Sequence, residues 1–208
     1  METIDPKHQK KLIKAFDRLS ENQLDKSRYE RKPKQLTFGS REKLKPVFIE
    51  SFKMFDKRIV GLKWLPEYEQ VLDWLEDNKG KGLYLCGDFG RGKSSIILGV
   101  IRPLFEIIGK PLPGFHAIKL PIDRNFEKYW SWKYSYIDEL GAESMVNDYG
   151  EKYEAFNMIL NIAEQDLNIL VMSSNLTAQQ FCQRYGDRAM ERINSLCKII
   201  EFKGESLR

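Results

Sequence analysis

Apolar positions along this chain change rhythm twice. From Pro6 to about Glu30 they are sparse. Leu12, Phe16, Leu19 and Leu24 form only a thin stripe at helical spacing in a highly charged stretch. That pattern predicts a helix too polar to fold well by itself, suited to docking on something else. Arg31-Lys32-Pro33-Lys34 through Phe38-Gly39-Ser40 has the composition of a linker. Pro46 then opens a helix in which Phe48, Ser51, Phe52 and Phe55 share a face. Pro66 starts another, with Tyr68, Val71, Leu72 and Leu75 inward and Asn78-Lys79-Gly80 as its stop.

Beyond residue 80, short apolar runs alternate with helical periods. Gly82-Leu83-Tyr84-Leu85-Cys86 predicts a buried strand, and Ser95 to Ile101 an apolar helix. A turn-rich break at Gly109 to Gly114 follows, then a strand over Phe115 to Leu120. Pro121 to Trp132 has no readable period. Tyr134 to Asp138 predicts a strand that ends in acid. Tyr149 to Gln165 predicts a helix with Tyr153, Phe156, Ile159, Leu160 and Ala163 inward. Asn168 to Met172 reads as a fully buried strand. Thr177 caps a short helix through Arg184, Asp187 caps another to about Leu196, and Lys198 to Phe202 is the last strand. Such alternation predicts an α/β fold with a parallel sheet covered by helices on both faces. We therefore expect a helical arm over residues 1–45 and one α/β domain over 46–208.

The first strand and the next helix are joined by Gly87-Asp88-Phe89-Gly90-Arg91-Gly92-Lys93-Ser94, which fits G-x-x-x-x-G-K-[ST]. Glycines let the backbone curl so that successive N–H groups face phosphate oxygens, and the helix start adds partial positive charge. Lys93 carries a full charge to the outer phosphates, and the Ser94 hydroxyl is a ligand for Mg²⁺. Gly87 to Ser94, together with Ser95, is thus the expected phosphate-binding run of a P-loop nucleotidase. A chance glycine-rich turn would not be expected to sit between a strand and a helix in this order.

Two further strand ends carry polar groups. Asp138 and Glu139 close the Tyr134 strand about 45 residues after Lys93. An acid pair there suits a Walker B element, with Asp138 holding Mg²⁺ through its water shell and Glu139 polarising the attacking water. The alternative is an ordinary acid pair in a loop. Ser173-Ser174-Asn175 ends the next strand; Asn175 is the expected orienter of the lytic water, unless the three residues only cap the following helix. Arg184, Arg188, Arg192 and Arg208 crowd the last quarter, where a guanidinium can offset transition-state charge or simply be solvated.

Charge and composition narrow the partners. Residues 1–63 hold 17 Lys/Arg against 9 Asp/Glu, a surplus of 8, whereas the rest holds 17 against 21. A basic front suggests an anionic partner such as nucleic acid, or a solvated surface without one. No apolar run approaches the ~20 residues of a membrane span. The charged start lacks a signal core, so a cytoplasmic protein is expected. Cys86, Cys182 and Cys197 are far apart and read as free thiols of a reducing compartment. With His8 and His116 the only histidines, no zinc site is expected.

Four strings now resemble one family. Ile137-Asp138-Glu139-Leu140-Gly141-Ala142-Glu143 is similar to the I-D-D-L-G-A-E of DnaC/IstB-type AAA+ ATPases. Ser173-Ser174-Asn175-Leu176-Thr177 resembles their T-S-N-L sensor 1. Arg184 to Ile193 resembles their R-x-G-x-R-x-x-x-R-[IL] box, and Phe202 to Arg208 their F-x-G-x-S-x-R. The resemblance covers roughly residues 66–208. It implies an AAA+ fold without a helical lid, binding ATP and Mg²⁺ near a subunit boundary. It also implies loading of a replicative helicase onto single-stranded DNA, or assistance to a transposase. By motif position Arg192 resembles an arginine finger given in trans, with Arg188 the alternate, and Arg208 resembles a sensor 2 arginine acting in cis. A homo-oligomer on assembly and a monomer alone follow from a finger that needs a neighbour. The segment from Pro111 to Trp132 is shorter than in the family, where that region helps contact DNA. The arm has no cysteine cluster for zinc, and by analogy would bind the helicase. An ATP-dependent binding switch with little turnover is the other reading. A small-molecule kinase fits less well, because an acid pair and Asn175 suit attack by water.

Overall fold

The computed structural model describes residues 32–57, 63–120, 132–143, 146–148, 151–153 and 155–207, with Lys10 and Lys14. The rest of the helix expected over Pro6 to Glu30, most of Pro121 to Trp132, and Arg208 lie outside the described residues. The elements in order are α1 (Arg41–Phe55), α2 (Pro66–Glu76), β1 (Gly82–Gly87) and α3 (Lys93–Ile96). A π-helical turn (Ile97–Ile101) joins α3 directly to α4 (Arg102–Ile107). Then come β2 (Gly114–His116), β3 (Tyr134–Leu140), β4 (Val146–Asp148), β5 (Glu151–Tyr153) and α5 (Ala155–Asp166). The last are β6 (Ile169–Ser174), α6 (Ala178–Tyr185), α7 (Asp187–Leu196) and β7 (Cys197–Phe202).

Five strands form one sheet in the order β2-β3-β6-β1-β7, with every pairing parallel. Parallel neighbours need crossovers, and helices supply them on both faces. Side chains alternate along β1, so Leu83 and Leu85 enter one core and Tyr84 the other. The first core is roofed by α1, α2 and the π-turn; the second by α5, α6 and α7. Phe48 and Phe52 are fully buried beside Tyr68, with ring centroids 5.5 and 5.6 Å from it. Each contributes about 1.5–3 kcal/mol of burial. The α/β class and two-faced parallel sheet thus match the expectation from periodicity.

Boundaries moved where local chemistry outweighed pattern. One compact unit spans Pro33–Arg208, so residues 33–45, grouped with the arm on composition, belong to the domain. The expected linker is tied down. Leu36 N–H donates to Asn78 Oδ1 at 2.7 Å, Asn78 N–H to Leu36 O at 3.2 Å, and Phe38 N–H to Leu75 O at 2.9 Å. Helix α1 therefore starts at Arg41, with Leu44 buried, and Pro46 lies inside it rather than opening it. Strand β2 stops at His116, because His116 Nδ1 accepts the Ile118 N–H and starts a 3₁₀ turn over Ala117–Lys119. The helix expected from Tyr149 begins only at Ala155; β4 and β5 pair antiparallel before it, and Gly150 in that stretch is a poor helix former. Thr177 caps α6 through a reciprocal box with Gln180. At α7 the cap position is Gly186, and Asp187 instead lies in the first turn, favourably placed against the helix dipole.

Candidate active site

Strand β1 delivers the glycine-rich loop to the carboxyl edge of the sheet, between β6 and β7. Gly87 (φ +111°) lies against Phe202, where a Cβ would come within 2.1 Å of the Phe202 carbonyl oxygen. Gly92 (φ +82°) turns the chain into α3, and a Cβ there would lie 2.6 Å from Phe52 Cζ. Both positions are closed to any larger residue. Lys93 follows at the helix start. Its Nζ donates to the carbonyls of Gly87 at 2.9 Å and Asp88 at 2.6 Å, so the ammonium is held over the loop itself. Lys93 is 5 % exposed, and burial pulls its pKa down to about 8. Its hydrogen bonds go to neutral carbonyls, and the nearby carboxylates of Asp88, Glu139 and Asp138 favour its charged form.

Not every residue of the motif faces that space. The Phe89 side chain is 72 % exposed, leaving only its backbone to contribute to an anion cradle. Ser95 was expected in the phosphate-binding run, but it is buried and its hydroxyl donates to the buried Asp56 Oδ2 at 3.0 Å, into the core. Arg91 is buried, with its guanidinium directed at Glu67 of α2 and at the Glu205 carbonyl.

The acids arrive from β3. Its register with β6 shifts between Ile137 and Leu140, and Glu139 takes a positive φ of 56°. For a non-glycine residue that conformation is strained, and strain of this kind gathers at functional sites. Ser173 on β6 stitches the bulge. Its Oγ accepts the Glu139 N–H at 2.9 Å and donates to Asp138 Oδ1 at 2.5 Å. Asp138 is thereby fixed and buried, while the Glu139 carboxylate is about half exposed. Glu139 Oε2 lies 2.8 Å from His116 Nε2. Because His116 Nδ1 already accepts the Ile118 N–H, Nε2 carries the proton and donates to Glu139 in the neutral ring.

Phe89 to Ser94, Glu139, Ser173 and Asn175 together line a cleft of about 80 Å³. Lys93, Ser94, Glu139 and Asn175 are thus brought together as expected from sequence, with Asp138 next to Glu139. Two residues were missed. The sequence assigns Ser173 only to the polar strand end beside Asn175, and it gives His116 no role. Their roles depend on β3 lying between β2 and β6, which no local pattern reveals.

Arg184, Arg188 and Arg192 do not line this cleft. Arg184 Nη2 donates to the Glu143 carbonyl, and the Tyr185 hydroxyl donates to the Glu143 carboxylate, whose other oxygen accepts Gly141 N–H at 2.8 Å. This cluster locks the start of the arginine box to the loop after β3. Arg192 Nε donates to Glu164 Oε2 on α5 at 3.0 Å. Arg188 is exposed in the first turn of α7. The three cysteines are free thiols. Among the described residues, no cluster of three or more metal-binding side chains exists, and no helix is long and apolar enough to cross a membrane.

Sheet order and the glycine-rich loop at the carboxyl edge make this an α/β fold of the P-loop kind. More narrowly, the fold is DnaC-like. The DnaC helicase loader aligns with a TM-score of 0.57 and 16 % identity, over 76 % of this chain and 99 % of that one. A candidate primosome component from Streptococcus pyogenes serotype M3 aligns with a TM-score of 0.56 and 20 % identity, over 76 % and 91 %. AMPPCP-bound DnaA from Aquifex aeolicus aligns with 0.51 and 16 %, over 73 % of this chain and 52 % of its own. No family model and no curated protein matches the chain.

Proposed function

We propose that this chain binds ATP with Mg²⁺ at the loop around Lys93, hydrolyses it, and acts in DNA replication by loading a replicative helicase onto single-stranded DNA. One observation carries the nucleotide part. The Lys93 ammonium is held over the loop's own carbonyls, in a cleft that Glu139 and Asn175 also line. The donor set fits both groups. Backbone amides and an ammonium suit a triphosphate, while a hydroxyl at Ser94 and a carboxylate at Asp138 are hard oxygen donors that suit Mg²⁺. Bound there, Mg²⁺ would neutralise charge on the phosphates. The chain's own residues do the rest. Lys93 binds the outer phosphates, Asn175 orients water, and Glu139 accepts its proton.

Arg192 is proposed as the finger given to a second copy's site, with Arg188 the alternate and Arg208 acting in cis. Arg192 would have to leave Glu164, whose carboxylate is about half exposed and open to water. The helicase role rests on the DnaC-like fold and the resemblance of the four motifs, and residues 1–32 are the proposed partner-binding arm. Steady-state ATP hydrolysis should be measured with the chain alone, with single-stranded DNA, and with a replicative helicase. Stimulation by helicase and DNA together is expected; hydrolysis unchanged by either would count against loading. The contact between His116 and Glu139 favours a second reading, an ATP-held binding switch with little turnover in the lone chain.

A further inference from the structure

Residues 203–207 lie along the phosphate loop. Gly204 N–H donates to Asp88 Oδ2 at 2.8 Å, and Leu207 N–H donates to the Gly90 carbonyl at 3.0 Å. A Cβ on Gly90 would lie 2.1 Å from Ser206 Oγ. Arg91 completes the set, with Nη1 donating to the Glu205 carbonyl at 3.0 Å. This strap therefore touches the loop at Asp88, Gly90 and Arg91.

Arg91 is an unusual occupant of that position. Only 8 % of it is exposed, and its Nε is buried with no hydrogen-bond partner. Its nearest carboxylate, Glu67 Oε1 at the start of α2, is 3.6 Å from Nη2. Glu67 Oε1 also accepts the Lys203 N–H at 3.4 Å, from the first residue of the strap. The neighbouring Tyr68 hydroxyl is buried without a partner too, and burial raises its pKa to about 12. A guanidinium buried with so few partners is costly unless it holds something in place. Phosphate contact does not require it, because Lys93 already brings a cation to the cleft.

We infer that Arg91 is a positioning residue: it clamps residues 203–207 onto the phosphate loop, so that the loop's grip on nucleotide depends on the strap being seated. The second half of this inference rests on the nucleotide reading above; the first half does not.

Hydrogen exchange of the Gly204 and Leu207 amides in the nucleotide-free chain tests the clamp directly. In Arg91→Ala both should exchange about tenfold faster or more, while core amides of β1 and β6 keep their protection. ATP affinity should fall about tenfold, the loss of one charge-assisted bond, with kcat changed less than KM. Arg91→Lys keeps the charge but not the planar fork, and should recover only part of the protection. Leu207→Pro removes the donor to Gly90 without touching Arg91 or the core strands. It should lower ATP affinity as Arg91→Ala does, and the double variant should be no worse than either single one. Unchanged exchange at Gly204 and Leu207 in Arg91→Ala would overturn the inference. So would faster exchange with unaltered ATP affinity, or additive losses in the double variant. Lys93→Ala separates the two readings: it should lose nucleotide yet keep both amides protected.

Discussion

His116 Nε2 donates to Glu139 Oε2 at 2.8 Å, across the junction of β2 and β3. The residue proposed to accept a proton from water is therefore engaged by a neighbouring strand. Its backbone is pinned independently by Ser173. The side chain can thus leave His116 without disturbing the bulge. His116→Ala should leave ATP affinity unchanged and raise partner-free hydrolysis about 2–10-fold, the worth of one such bond. A fall in turnover would mean that His116 aims the carboxylate at water.

Burial of Lys93 makes two pH effects. Its pKa is about 8 in the folded chain and 10.5 ordinarily, because burial penalises the ammonium. Between those values the unfolded chain holds a proton that the folded chain has lost, so stability should rise as pH climbs from about 8 to 10.5. Below pH 8 both states hold the proton and this contribution is flat. A bound polyanion favours the ammonium, so ATP binding should take up a proton and weaken as pH rises through 8. Calorimetric titration in buffers of different ionisation enthalpy measures that uptake, which Lys93→Met should abolish.

Tyr185, Glu143 and Arg184 form a buried joint between α6 and the loop after β3. Tyr185→Phe leaves a carboxylate oxygen, on a residue only 8 % exposed, without its donor. That costs about 1–3 kcal/mol, or a drop of roughly 2–10 °C in thermal midpoint. An unchanged midpoint would show that the joint contributes nothing.

Much of this was legible in the residues themselves. The buried strands at Gly82, Tyr134 and Ile169, and the Thr177 cap, follow from patterns that local sequence dictates. So does the loop around Lys93, because its glycines occupy backbone conformations that other residues resist. What pattern missed was set by distant partners. Residues 33–40 read as a linker, yet Asn78 holds them with two hydrogen bonds to Leu36. Ser95 stands within the phosphate-binding run, yet Asp56 draws its hydroxyl into the core. His116 and Ser173 join the site only because strand order places them beside Glu139. Spacing along the chain carries no trace of that.

Arg192 and Arg188 can be told apart. Arg192→Ala should leave the lone chain's ATP affinity intact and lower turnover in the assembled state by on the order of 10³-fold, as a lost finger does. Glu164→Gln, which frees Arg192, should not lower it. Full turnover in Arg192→Ala with loss in Arg188→Ala would move the role to Arg188, which lies exposed one helical turn earlier.

The most direct test is equilibrium binding of Mg²⁺-ATP to the wild-type chain and to Lys93→Ala, with thermal midpoints as a check on folding. Saturable binding that falls about a hundredfold in the variant, at an unchanged midpoint, is the expected result. Equal affinity in the two proteins would contradict the central claim, that the loop around Lys93 is where this protein holds a triphosphate.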